Sequence, residues 1–245
     1  SYSAPEAKGG GRTTSTTVSG GYGKLSENRF NVFAVLNHTK TDALEAADRD
    51  YASTGFRPEL AYKSSGTTYP ANWTQSSTGA TGNPSYPNCN LPSSFAIPGR
   101  ADSCRYDYTN RIQLVPQTEQ TNLLARGEFK LAENHTASLE YSWARNEALG
   151  KVSETPVTGL SLSPSSPYYP AGAAGLDSTK PVSVGWRTVA AGRRADESEA
   201  NSHRVVAEFK GLAFSWDYDV GVSYAKSDVT TAFTDGYVDA SKIQA

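Results

Sequence analysis

The chain has 245 residues, with 23 basic and 25 acidic side chains and a formal net charge of −2. This length fits one large β domain or two ordinary ones, and the scattered basic residues give no reason to expect a nucleic-acid partner. No run of about 18 apolar residues occurs, which excludes a transmembrane helix but leaves open membrane strands, in which only alternate side chains face lipid.

The first predicted element is an antiparallel hairpin from Arg12 to Asp42, with its turn near Leu25 to Asn28. Alternate residues of the return strand form an apolar face, which is typical of a strand that is apolar on one side. This face contains Phe30, Val32, Ala34 and Leu36. Phe33 and Val35 on the opposite face make the alternation weaker here than in the later hairpins.

A long loop, about residues 43–116, follows this hairpin. Seven of the 13 prolines lie between Pro58 and Pro116, and proline is excluded from central strands because it cannot donate to the ladder. We interpret Cys89 and Cys104 as a disulfide that staples this loop in an oxidising compartment, with two free thiols as the alternative. No metal site is expected, because the histidines lie far away in sequence.

The second hairpin is predicted from Thr118 to Asn146 and has the clearest alternation. On its first strand one face contains Leu123, Ala125, Gly127, Phe129 and Leu131. After a polar turn, the corresponding face of the return strand contains Ala137, Leu139, Tyr141 and Trp143. Polar residues occupy most of the opposite face, including Arg126, Glu128, Ser138 and Glu140. This pattern indicates an antiparallel hairpin with one apolar face.

A second long loop, about residues 147–200, contains five further prolines between Pro156 and Pro181. The third hairpin is predicted from Ser202 to Thr230. The apolar face of its return strand contains Trp216, Tyr218, Val220, Val222 and Tyr224.

Tight turns at one end of the strands and very long loops at the other are the expected pattern of an outer-membrane barrel. Compact soluble domains usually connect their elements with about 4 to 6 residues. The aromatic residues near both ends of the apolar faces also suit interfacial girdles, although tyrosine and tryptophan are good strand residues in any sheet. We therefore expect an all-β protein, an antiparallel transmembrane β-barrel segment with two long extracellular loops. A soluble β-sandwich or solenoid with two large insertions is the alternative.

Four stretches of the chain resemble the TonB-dependent receptors of the bacterial outer membrane, and together they cover about half of it. They are RFNVFAVLNHTKTDALEAADRDY at 29–51, CRYDYTNRIQLVPQTEQTNLLARGEFKLAENHTASLEYSWARNE at 104–147, SPYYPAG at 166–172 and WRTVAAGRRADESEANSHRVVAEFKGLAFSWDYDVGVSYAKSDV at 186–229. Each stretch is a style of sequence rather than an invariant motif, so their order carries the resemblance.

The resemblance implies a barrel of 22 strands with an N-terminal plug domain, which imports a scarce or bulky nutrient with energy relayed by TonB. Siderophores, cobalamin, oligosaccharides and peptides are the expected ligand classes. Sequence similar to the plug or to a TonB-binding segment is not recognisable, and the last residues, Ile243 to Ala245, do not resemble an aromatic terminal strand. Because about six strands cannot close a membrane barrel, we expect the chain to be the middle of a larger barrel. The resemblance also implies that the partner TonB acts through the missing plug domain.

No catalytic motif is recognisable, so we expect neither an enzyme nor a cofactor. The candidate ligand contacts are the loop aromatics, because their rings offer flat apolar faces with a polar edge. The main candidates are Tyr69, Trp73, Tyr86, Tyr106, Tyr108, Tyr168 and Tyr169, with Tyr51, Tyr62 and Trp186 in the same loops. Alternatively, the rings pack against one another to hold the loops in shape. A passive porin or surface adhesin with the same barrel wall is the alternative function.

Overall fold

The structure is a computed structural model that describes residues 1–7, 9–61, 64–99 and 102–243. It is all-β, with 55% strand and 8% helix arranged as antiparallel sheets. Among the described residues, no helix has the length and apolar character needed to cross a membrane.

The strands are numbered in chain order. They are β1 Tyr2–Ser3, β2 Thr13–Tyr22, β3 Phe30–Thr41, β4 Leu44–Glu45, β5 Asn72–Thr74, β6 Thr81–Gly82, β7 Ser94–Phe95, β8 Arg105–Tyr106, β9 Gln113–Val115, β10 Gln117–Ala132, β11 His135–Glu154, β12 Pro156–Leu162, β13 Val182–Arg187, β14 Arg193–Ala213 and β15 Trp216–Asp235. Two short helices are α1 Leu25–Asn28 and α2 Ala240–Ile243. Single 3-10 turns occupy Ala46–Asp48, Pro58–Leu60, Thr109–Arg111 and Val189–Ala191.

The chain divides into two compact units. The sheet unit is Ser1–Ala43, Val115–Leu149 and Glu197–Ala232, and the loop unit is Leu44–Leu114, Gly150–Asp196 and Phe233–Ala245. The loop unit therefore takes its residues mainly from the two long loops predicted from the sequence.

The sheet unit is built on a sheet with the strand order β1-β2-β3-β10-β11-β14-β15. In the register of this sheet, Gly127 on β10 pairs with Val32 on β3 and with Leu139 on β11. The turn between β2 and β3 is the helix α1, which ends at Arg29 with a left-handed backbone, φ 64°. Arg29 then donates to the carbonyl oxygen of Lys130, which ties this turn to the end of β10.

The two faces of this sheet have opposite polarity, and the apolar face is the more exposed one. Leu139 is 54% exposed, whereas its neighbour Ser138, on the other face, is 8% exposed. Other exposed side chains on the face of Leu139 are Phe129 at 43%, Leu131 at 59%, Val220 at 61%, Val222 at 70% and Trp216 at 79%. A protein folded in water normally buries such side chains together, so the usual arrangement is inverted.

The opposite face carries a network of ion pairs. Arg126 lies 3.2 Å from the carboxylate of Glu140 and 3.3 Å from that of Glu208. Glu208 also accepts a hydrogen bond from Ser138, and Lys210 on the same strand pairs with Asp219 at 3.2 Å. These contacts connect β10, β11, β14 and β15 across the polar face.

The weak alternation in β3 has a structural counterpart on this polar face. Phe33 and Val35 pair with Arg126 and Leu124, so both apolar side chains lie among the residues of the polar face. Phe33 is 37% exposed there.

The strands and the loops differ from the sequence expectation in their limits. β11 continues to Glu154 and β14 begins at Arg193, so both strands extend into the segment 147–200 that the sequence presents as loop. The loops also contain short strands, which the sequence analysis did not predict. Backbone pairing needs no alternation of side-chain type, so strands of two or three residues leave little trace in the sequence.

Candidate ligand-binding cavity

A sheet of its own joins the two loops within the loop unit. Its strand order is β12-β13-β5-β6, and Val184 on β13 pairs with Trp73 on β5. Backbone contacts extend this join, since the amide of Arg187 donates to the carbonyl oxygen of Thr68 at 2.9 Å. Segments about a hundred residues apart in sequence therefore fold as one body.

Gln75 strengthens the same join from a buried position, with 1% of its surface exposed. Its amide nitrogen donates to the carbonyl oxygens of Asp177 and Lys180 at 2.9 and 3.1 Å. Its amide oxygen accepts from the backbone N–H of Asp177 at 2.8 Å and from the hydroxyl of Thr78 at 3.0 Å. A buried amide with all these partners fixes the second loop against the first.

The predicted disulfide between Cys89 and Cys104 is present. Both cysteines are 1% exposed. Asn72 connects this staple to β5, because its side chain donates to the carbonyl oxygen of Cys104 at 2.8 Å and accepts from the Cys104 amide at 3.0 Å.

A small core lies beside these contacts and consists of Trp73, Tyr169 and Val182, each at most 9% exposed. Trp73 packs directly over Gly82, where a Cβ atom would lie 2.5 Å from the indole ring. Only glycine fits at this position, so the absence of a side chain allows β5 and β6 to pair beneath the indole.

The core forms one wall of a cavity of about 1310 Å³ that residues of both loops line. Its aromatic lining is Tyr69, Trp73, Tyr86, Tyr168, Tyr169 and Trp186. The cavity is larger than the roughly 300–1,000 Å³ of ordinary small-molecule pockets. It can accept a bulky ligand.

The aromatic residues of the lining fall into two groups. Trp73 and Tyr169 are buried and support the wall, and the Tyr169 hydroxyl donates to the carbonyl oxygen of Asp177 at 3.0 Å. By contrast, Tyr168 is 85% exposed, Tyr69 44% and Tyr86 37%. These three rings are available to a ligand.

Tyr106 is a sequence-predicted candidate that the structure places in a buried charged cluster instead. It is 1% exposed, and its hydroxyl donates to the carboxylate of Glu154 at 2.7 Å. The guanidinium of Arg187 lies over its ring, 4.7 Å from the centroid, and Arg111 donates to Glu154 from the other side. Tyr108 is half-buried and is not among the residues that line the cavity.

This cluster shifts the ionisation of its members. Burial raises the pKa of Tyr106 above its usual value, and the hydrogen bond to Glu154 adds to the increase. For Glu154 burial alone would raise the pKa, but the hydrogen bonds from Arg111 and Tyr106 outweigh it and hold the pKa below its usual value. The carboxylate is therefore charged at neutral pH and holds the cluster together.

Five of the seven main sequence candidates line the cavity, and Trp186 on β13 joins them. Tyr51 is 73% exposed and lies outside the lining, while Tyr62 falls outside the described residues. The sequence gives no sign of Gln75, because a single glutamine in a polar loop looks like any solvated residue.

Within the described residues, no group of histidine, cysteine or acidic side chains has the geometry to hold a metal ion. The polar side chains of the cavity lining include hydroxyls, the amide of Asn83, the indole N–H of Trp186 and the carboxylate of Asp102. Comparison of the chain with family models, with curated proteins and with solved structures finds no match to any of them.

Proposed function

We propose that the chain is part of the wall of a bacterial outer-membrane barrel of the TonB-dependent receptor type. Its long strands cross the membrane, and its loop unit lies outside the cell and captures a scarce or bulky nutrient for import. The barrel has more strands than this chain supplies, 22 if it follows the family that it resembles, and TonB acts on it through a plug domain.

The observation that carries this proposal is the inverted polarity of the sheet. Leu139 is 54% exposed and Ser138 is 8% exposed, although they are adjacent on one strand. In a membrane barrel the outer face is apolar because it meets lipid, and the inner face is polar. The ion pairs around Arg126 suit such an inner face.

The length of the apolar face supports a bilayer as its surroundings. The face runs along β10 from Leu123 to Leu131, close to the 9 to 11 residues that a tilted membrane strand needs. Towards the loop end the same face of β11 presents Tyr141 and Trp143, and the next residue on it is Arg145, which pairs with Glu199 at 3.1 Å. Aromatic rings followed by charges are typical of a membrane–water interface.

The cavity favours capture and import over passive diffusion. A passive pore needs an open path with weak contacts, whereas this loop unit fixes aromatic side chains around a space of about 1310 Å³. In the proposal, TonB supplies the energised step that moves a bulky ligand from this cavity across the barrel.

Single cysteines at adjacent positions test the membrane placement. Leu139→Cys and Ser138→Cys are each labelled with an environment-sensitive fluorophore, and the protein is placed in vesicles that contain nitroxide-labelled lipid. The native cysteines form a disulfide and do not react. We expect lipid nitroxide to quench the label at position 139 strongly and that at 138 weakly. Aqueous iodide quenching the 139 label as well as it quenches free dye would refute the placement.

Uptake measurements test the mode of transport. We expect nutrient-limited growth that depends on this protein to be lost when TonB is inactivated, with the protein still present in the outer membrane. A passive porin would support the same growth without TonB, and an adhesin would support none.

A further inference from the structure

The most exposed ring of the cavity points to stacking on a ligand. Tyr168 is 85% exposed, whereas the next residue, Tyr169, is 9% exposed and anchored by hydrogen bonds to the backbone. The tip of the turn is therefore fixed while it presents Tyr168 outward. Because the backbone that carries this ring is already ordered, a ligand that covers the ring has to fix only the side-chain torsions of one tyrosine.

The charge of the lining argues against an anionic ligand. Among the described residues that line the cavity, Asp102 carries the only charge, and none is lysine, arginine or histidine. An anionic iron complex would lose its hydration on entry without a cation to compensate it, and Asp102 would repel it.

The polar groups of the lining suit a ligand that has many hydroxyls. Tyr69, Tyr86 and Tyr168 each carry a hydroxyl and Trp186 carries an indole N–H, and all four residues line the cavity. A ligand with alternating apolar faces and hydroxyl edges would use both the rings and these groups.

We infer that the cavity binds a neutral oligosaccharide. Pyranose rings have a flat face of C–H groups that stacks on tyrosine and tryptophan, and equatorial hydroxyls that bond at its edge. The volume of about 1310 Å³ accepts several such rings. This inference rests on the proposed function, for which it names the class of nutrient.

An array of neutral and acidic glycans provides the first test, with the protein purified from outer membranes in detergent. We expect binding to one or more neutral glycans. The best of them is then measured by titration calorimetry against three variants. Tyr168→Ala should weaken binding about tenfold, because it removes the stacking ring. Tyr168→Phe should stay within about threefold, since it keeps the ring, and Tyr51→Ala, at an exposed tyrosine outside the lining, should change nothing.

Several results would overturn the saccharide assignment. They are binding to no neutral glycan, binding to acidic glycans alone, and equal affinity of Tyr168→Ala and the parent protein. Binding of a ferric catecholate or of a neutral octapeptide that Tyr168→Ala abolishes would overturn it as well. Each of them leaves the membrane placement and TonB dependence standing, because quenching and growth measure those separately.

Discussion

Replacing Leu139 by lysine distinguishes two interpretations of the sheet, as the wall of a membrane barrel or as part of a soluble protein. Leu139 pairs with Gly127 in the middle of the apolar face, so in a bilayer the lysine would lie near the midplane, where it costs about 2–4 kcal/mol. That cost lowers the folding equilibrium constant about 30- to 700-fold, since 1.4 kcal/mol is tenfold. In a soluble protein, a leucine that is 54% exposed could become lysine with a change of about 0.5 kcal/mol or less.

Leu124→Lys is the matched control because it makes the same chemical change on the polar face. Leu124 pairs with Val35 and with Ser142, and its side chain lies on the same face as Arg126. There a lysine remains hydrated, and we expect a cost of about 1 kcal/mol or less from lost apolar contact.

Urea titrations of the protein folding into phosphatidylcholine vesicles measure both costs. The folded fraction is followed by tryptophan fluorescence and by the mobility of unheated samples in detergent gels. Equal costs for the two lysines would refute the argument. So would a Leu139→Lys protein that folds better in water without lipid than the parent does.

Three further predictions concern the loop unit. Gln75→Leu should destabilise it by about 2–4 kcal/mol, because buried partners of the amide lose their hydrogen bonds; faster amide exchange across β13 would show this. Glu154→Gln should lower the melting temperature at pH 7 but much less near pH 3. The pKa of Glu154 is depressed in the folded state, so its carboxylate stabilises the fold at pH values above its ordinary pKa. This stabilisation is lost as the pH falls through the folded pKa. An unchanged effect of Glu154→Gln on the melting temperature at pH 3 would contradict the reasoning. Replacing Cys89 and Cys104 by serine should cost about 3 kcal/mol in denaturant unfolding, from the loop of 15 residues that the disulfide closes.

The sheet unit was largely predictable because its information is local. The alternation of apolar and polar residues from Leu123 to Leu131 assigns each side chain to one face of the sheet. The polar turn that follows fixes the register of the two strands, in which Gly127 pairs with Leu139. Phe33 and Val35 obscured this in β3, since apolar side chains also occur on the polar face. The limits of the strands were less predictable, because charged residues near Arg193 pair as well as apolar ones do.

The architecture of the loop unit depends on pairings that the sequence does not encode locally. β5 has three residues, too few to display any period. The partners of Gln75 in the second loop, Asp177 and Lys180, lie about a hundred residues away in sequence. The partners of Tyr106 are Glu154 and Arg187, which come from different segments. Composition identifies the aromatic residues as candidates, but only the folded chain separates the supporting Trp73 from the exposed Tyr168.

The join at Gln75 has a consequence for any attempt to move one of the two loops into another protein. Since β5 of the first loop pairs with β13 of the second and Gln75 closes the contact, neither loop has an independent shape. Grafting one of them onto another protein would leave Gln75 or the backbone of Asp177 without its partner. A transplant of the loop unit therefore has to move both segments together, and the proposed ligand specificity would move with them.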